Sequence, residues 1–255
     1  MRIVPAIDIQ QGEVVRAIAG ERLAYLPLKS KLAKSACPEE IGRQLRKTCG
    51  LSHFYLADLD AIAGKSPDWD LYRRLIDSGL TLWIDAGLET EKHCKAMMQF
   101  AAEHPQVQGI IAGMESVVDR ATFTRFVELI DSELLIFSLD LKDGHPLTKD
   151  PRWKKQIALE IATDVVDQGV GRMIVIDLAS VGMHGGPGTR KLCTQLHTKF
   201  SGLSIYAGGG IRSIDDLNTM ADWGCAAVLI SSALHDGWIS PDEIRDFQNK
   251  RLVGP

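Results

Sequence analysis

Eight short, strand-like apolar runs recur along the chain, each followed by a longer segment with helical periodicity. The runs fall near Ile3–Ile9, Phe54–Leu59, Leu82–Asp85, Gly109–Ala112, Leu135–Leu139, Met173–Ile176, Ser204–Ala207 and Ala227–Ile230. Most are continuously apolar rather than alternating, the pattern of parallel strands covered on the outside by helices. The intervening segments are amphipathic: Pro38–Cys49, Asp68–Ser78, Glu91–His104, Asp119–Ser132, Gln156–Gln168, Thr189–Phe200, Ser213–Trp223 and Pro241–Lys250. Ser66-Pro67-Asp68 and Ser240-Pro241-Asp242-Glu243 are helix-start signals. Eight βα units in 255 residues is the arithmetic of one α/β domain, a (βα)8 TIM barrel. The rival, an open doubly wound sheet, usually has fewer strands.

A second regularity favours the barrel. Val4-Pro-Ala-Ile-Asp-Ile-Gln-Gln-Gly12 resembles Ile136-Phe-Ser-Leu-Asp-Leu-Lys-Asp-Gly144, which aligns Asp8 with Asp140. Tyr55-Leu-Ala-Asp58 resembles Val175-Ile-Asp177, and Trp83-Ile-Asp-Ala-Gly-Leu-Glu-Thr90 lines up with Tyr206-Ala-Gly-Gly-Gly-Ile-Arg-Ser213. Gly109–Gly113 takes the place of Ala227–Ser231. Such self-similarity speaks for the whole fold, and predicts an internal twofold repeat of half-barrels at about 1–132 and 133–255.

Composition narrows the partners. A formal net charge of −4 argues against a general binder of nucleic acid or anionic membranes, but leaves room for a small anionic ligand. The five cysteines are scattered without a CxxC spacing, so neither a disulfide framework nor a zinc site is expected. The chain enters a strand-like run at Met1–Asp8, and no apolar run approaches the ~20 residues of a membrane span. A cytoplasmic protein is expected, with no membrane or nucleic-acid partner. None of the seven histidines forms a ligand pattern; His184 could reach a substrate from its loop or simply be solvated. No metal and no cofactor are expected.

In a TIM barrel the chemistry sits on the loops at the C-terminal ends of the strands. Asp8 and Asp140 fall there on strands one and five, facing each other across the mouth. Two carboxylates so placed can act as general base and general acid if their surroundings push their pKa values apart. Asp58 and Asp177 end strands two and six and could hydrogen-bond sugar hydroxyls, or pair with Arg16 or Arg212 to organise the mouth. The glycine-rich loop from Ser180 to Thr189, with Gly186 at its middle, is either a lid or a permissive surface loop. Arg16, Asp58, Asp177 and Gly186 are the candidate substrate contacts. Trp153 could stack on a planar ring or pack its own loop. Phosphate chemistry concentrates on units seven and eight. Strand, glycines and helix start in Ser204–Ser213 aim backbone N–H groups at one point, and Ser231-Ser232 supply a second segment. Gly209, Gly210, Ser213, Ser231 and Ser232 are the candidate phosphate ligands, for a small phosphorylated sugar-type substrate. The protein itself is expected to be a monomer or small homo-oligomer.

These residues resemble a known family over nearly the whole chain. Val4-Pro-Ala-Ile-Asp8 with Gly12-Glu-Val-Val-Arg16, Tyr55–Asp60, Ser138-Leu-Asp140, Gly208–Ser213 and Ser232-Ala-Leu234 look like the histidine-biosynthesis barrels. The resemblance is nearer to the phosphoribosylformimino-aminoimidazole-carboxamide ribotide isomerases than to their cyclase relatives. It implies a metal-free and cofactor-free Amadori rearrangement of an aminoaldose to an aminoketose. Asp8 would be the general base at the sugar C2, and Asp140 the general acid opening the ring. The departures are specific. Those isomerases grip two phosphates, one per half, with Gly-Gly-Gly-Ile-Arg-Ser in both. Here the first half reads Asp85-Ala-Gly-Leu-Glu-Thr90, and Glu115 adds further charge. Like charges there oppose a dianion. Ile176 stands where the isomerases commonly have threonine. Three readings follow: an isomerase of the histidine pathway; a paralogue acting on a singly phosphorylated substrate in another pathway, such as tetrahydromethanopterin-type one-carbon cofactor synthesis; or a non-catalytic phosphosugar-binding protein.

Overall fold

The computed structural model describes residues 1–183, 186 and 188–252. Eight parallel strands form the wall: β1 (Arg2–Gln10), β2 (His53–Asp58), β3 (Thr81–Asp85), β4 (Val107–Gly113), β5 (Leu135–Lys142), β6 (Arg172–Asp177), β7 (Ser204–Gly208) and β8 (Cys225–Ile230). Each pairs with the next in chain order. β8 then pairs with β1 in the register Arg2↔Ala227 to Pro5↔Ile230. The sheet closes, and the fold is a (βα)8 barrel. The helices are α1 (Pro38–Cys49), α2 (Trp69–Asp77), α3 (Glu91–Glu103), α4 (Arg120–Leu129), α5 (Ala158–Asp167), α6 (Arg190–Lys199), α7 (Ile214–Asp222) and α8 (Pro241–Leu252). Their starts follow local chemistry: Pro38 opens α1, and the side chains of Asp68, Thr90, Asp119 and Ser213 accept from the first-turn N–H groups of α2, α3, α4 and α7. Among the described residues, no helix is long and apolar enough to cross a membrane.

Side-chain parity divides each strand between two cores. Phe54 and Leu56 of β2, or Met173 and Val175 of β6, face the helices in the large outer cluster. Val4, Trp83, Ile111, Ile136, Ile174, Tyr206, Ala227 and Leu229 fill the barrel interior. Near the strand starts, Trp83 and Tyr206 stack with ring centroids 4.6 Å apart, and the Arg172 guanidinium lies over both rings. The barrel therefore has a solid floor.

Several loop elements carry no periodic signal. A two-stranded extension, Glu13–Arg16 and Leu26–Pro27, folds back antiparallel on β1. A short strand, His145–Pro146, does the same on β5. Short helices follow β2 at Leu59–Ile62 and β8 at Ser232–His235. Trp153 does not reach the mouth: it is fully buried, edge-on to Phe123 and Phe137, and pins its loop to the barrel.

Candidate active site

Inward parity at the strand ends brings chemistry-bearing side chains into one pocket. Asp8 on β1, Tyr55 on β2, Asp85 on β3 and Asp140 on β5 all face it, and Glu115 joins from the loop after β4. Gly113 lies beside two of them: a Cβ there would be in ordinary contact, 3.5 Å, with both Asp85 Oδ2 and Asp140 Oδ2. Asp140 accepts from the Ser138 hydroxyl at 2.6 Å and from the Glu115 N–H at 3.4 Å. Asp85 accepts from the Gly87 N–H at 3.1 Å and from the Tyr55 hydroxyl at 3.2 Å. The Arg22 guanidinium, delivered by the 3-10 turn Arg22–Ala24, pairs with Glu115 above them.

This crowding shifts the acids unequally. Removal from bulk water raises the Asp8 carboxyl to about 6, against the pull of Arg22. Asp85 is raised to about 7 by burial and by the charge of Glu115. Asp140 is pushed well above the ordinary carboxylate range by burial, Glu115 and Asp85 together. The Tyr25 hydroxyl, also lining the pocket, is raised to about 12 by burial and by Asp8. At neutral pH, Asp8 is thus mainly a carboxylate, whereas burial among like charges favours the protonated form of Asp140.

The other side of the mouth has a different character. Gly209, Gly210, Ser231 and Ser232 line it. The two glycines adopt φ of +93° and +73°, and a Cβ on them would meet Ser180 Oγ at 2.5 Å and the Gly186 carbonyl at 2.3 Å. The loops after β6 and β7 are therefore packed backbone to backbone. The loop after β1 joins this closure, with the Ala19 N–H donating to the Val181 carbonyl at 2.9 Å.

Of the remaining sequence candidates, Arg16 lines the pocket, and Asp58, Asp177, Ser213 and Gly186 do not. Asp58 and Asp177 have the outward parity of their strands. Asp58 accepts from Ala61 N, Asp68 N and the Tyr72 hydroxyl, the last at 2.6 Å. Asp177 accepts from the Asp143, Gly144 and Ala179 N–H groups, tying the loops after β5 and β6 together. Neither pairs with Arg16 or Arg212. Arg16 lines the mouth but forks onto Asp236, and Arg212 lies 3.8 Å from Asp216. Ser213 is the N-cap of α7, its hydroxyl accepting from the Asp216 N–H. Gly186 contributes backbone against Gly210 rather than pocket surface. His184, and with it Gly185 and Pro187 of the proposed lid, lie outside the described residues. Arg22, Tyr25, Tyr55 and Trp238 line the mouth without having stood out in the sequence. Parity could have marked Tyr55; the loop residues arrive through long-range packing alone. Among the described residues, no group of three or more His, Cys, Asp or Glu is arranged to hold a metal ion.

A closed parallel barrel with a carboxyl-lined mouth is the setting in which the sequence comparisons fall. The model of the histidine biosynthesis protein family matches residues 2–240, and the chain belongs to that family. An uncharacterized protein of Methanocaldococcus jannaschii is 27% identical over 244 residues, covering 96% of this chain and 97% of its own length. A protein of Bacteroides thetaiotaomicron named 1-(5-phosphoribosyl)-5-((5-phosphoribosylamino)methylideneamino) imidazole-4-carboxamide isomerase is 26% identical over 252 residues, covering 97% and 99%. One of the same name from Nitrosopumilus maritimus is 24% identical over 253 residues, covering 98% and 100%.

Proposed function

We propose that this chain is an isomerase that converts a phosphorylated aminoaldose to the aminoketose, with Asp140 as general acid and Asp8 as general base. The observation that carries this reading is the pair itself: two inward carboxyls on opposite strands of one pocket, shifted unequally from the ordinary range. Asp140 gives its proton to the ring oxygen, and the C1–O bond breaks to leave an iminium at C1. Asp8 then takes the proton from C2, giving an enolamine that tautomerises to the ketone. Gly209, Gly210, Ser231 and Ser232 hold a phosphate through N–H and hydroxyl donors. The names of the isomerase relatives support the reaction class and a phosphoribosyl substrate.

Asp85 and Glu115, only partly offset by Arg22, favour a substrate with one phosphate. The name of the isomerase relatives contains two phosphoribosyl groups, whereas this mouth offers an acid-rich wall opposite its glycine loops. Turnover assays separate the readings. Conversion of the doubly phosphorylated imidazole-carboxamide substrate would assign the histidine reaction. Conversion of a phosphoribosylamine with a single phosphate, in its place, would assign the paralogous one. Asp8→Asn and Asp140→Asn are each expected to lower kcat by about 10²–10⁴-fold. If both variants retain full activity, the acid/base assignment fails.

A further inference from the structure

A second concavity opens at the opposite end of the barrel from the mouth, between the strand starts and helices α1 and α8. Three guanidinium groups line it: Arg2 on β1, Arg172 on β6 and Arg245 on α8, with the amides of Gln248 and Asn249 beside them. No carboxylate side chain is among its described lining residues. Arg172 spends its Nε on the Tyr206 hydroxyl at 3.0 Å and its Nη1 on the carbonyls of Gln108 and Glu133, all neutral acceptors. Arg245 pairs with the exposed Asp242. Arg2 has no ion pair among the described residues. The field is felt next door: His53 is held below its ordinary pKa by burial and by the charges of Arg2 and Arg172.

An independent observation points the same way. Trp83, which also lines this cavity, is 2% exposed, and its indole N–H has no acceptor among the described residues. A buried donor without a partner is rare and costly. Arg2 and Arg172, without carboxylate partners, and the orphaned indole donor of a residue in the same wall each favour an acceptor bearing negative charge. Trp83 and Tyr206 stack on each other, and Arg172 lies over both rings, so the cation is held at this wall. Forked guanidinium donors match phosphate oxygens in particular.

We propose that the cavity beneath the barrel floor is a second binding site, for a phosphate-bearing small molecule, distinct from the mouth and lined by Arg2, Arg172, Arg245 and Trp83. The test is a titration of the full chain with inorganic pyrophosphate, read from the indole N–H resonances in a proton–nitrogen correlation spectrum. Trp83→Phe and Trp238→Phe assign the two reporters. Trp83 reports the lower cavity, and Trp238 reports the mouth. The Trp83 resonance is expected to move saturably in the wild type. In the Arg2→Gln/Arg245→Gln double variant its midpoint is expected about tenfold higher, with the Trp238 response unchanged. A Trp83 resonance that stays still, moves only in step with Trp238, or keeps its midpoint in the double variant overturns the proposal. Should the double variant not fold, Arg245→Gln alone carries the same expectation, because among the described residues that side chain bonds at the surface to Thr48 and Asp242.

Discussion

Asp85 illustrates how one buried carboxyl couples the site to the stability of the barrel. Its pKa is raised from 3.8 to about 7 in the folded state. The folded protein therefore binds this proton more tightly than the unfolded chain does. The associated stability is fully present below the unfolded value and is lost as pH rises through about 7. Asp85→Asn removes the titration while its side-chain oxygen can still accept from Gly87. The variant is expected to be more stable than the wild type at pH 8, by at most about 4 kcal/mol, with a smaller gain at pH 5. Thermal melts at the two pH values check this; equal gains at both would mean that Asp85 charge is not the cause. Asp8 titrates lower, at about 6. The rate of the proposed isomerase, as kcat/KM, is expected to rise with pH through about 6 as the base ionises, and to fall at higher pH as Asp140 loses its proton. A flat profile over that span would exclude Asp8 as the base.

Strand ends explain both what was legible in the sequence and what was not. Continuous apolar runs located all eight strands to within a few residues, because parallel strands under helices are apolar on both faces. Asp8 and Asp140 were legible as mouth residues for the same reason. Asp58 and Asp177 look equivalent to them, since each also ends a strand, but they stand one residue out of phase with the inward side chains. β2 buries Phe54 and Leu56 outward, so Asp58 points outward too, and there it caps the helix Leu59–Ile62 and accepts from Tyr72. Parity was available in the sequence; the bond to Tyr72 fourteen residues away was not. Arg22 and Glu115 likewise meet only because loops from two distant units converge. Asp58→Ala leaves two N–H groups and a buried hydroxyl without their acceptor. It is expected to cost about 1–3 kcal/mol of stability while leaving kcat and KM unchanged. A fall in kcat without a fall in melting temperature would return Asp58 to the substrate.

At the scale of the whole barrel, the mouth is polarised. Asp85, Glu115 and Asp140 gather around the ends of β3, β4 and β5, with Arg22 as a partial counterion, while glycines and serines line the side formed by β7 and β8. A phosphate dianion approaching the first side meets carboxylates in a partly dry pocket, where like charges repel strongly. On the second side it meets donors. This asymmetry gives a prediction about ligand charge rather than about any one reaction. Ribose 5-phosphate, with one phosphate, and ribose 1,5-bisphosphate, with two, are suitable probes. The wild type is expected to bind the monophosphate at least as tightly as the bisphosphate. In the Asp85→Asn/Glu115→Gln double variant, the bisphosphate should gain about tenfold in affinity, and the monophosphate should change little. Isothermal titration at pH 8, where Asp85 is largely ionised, gives the largest contrast. The contrast should shrink at high salt to the extent that the wall is reached by solvent. If both ligands gain equally, the acids act on the phosphate at the glycine loops, and the two sides of the mouth are not independent. If neither gains, charge does not select against a second phosphate.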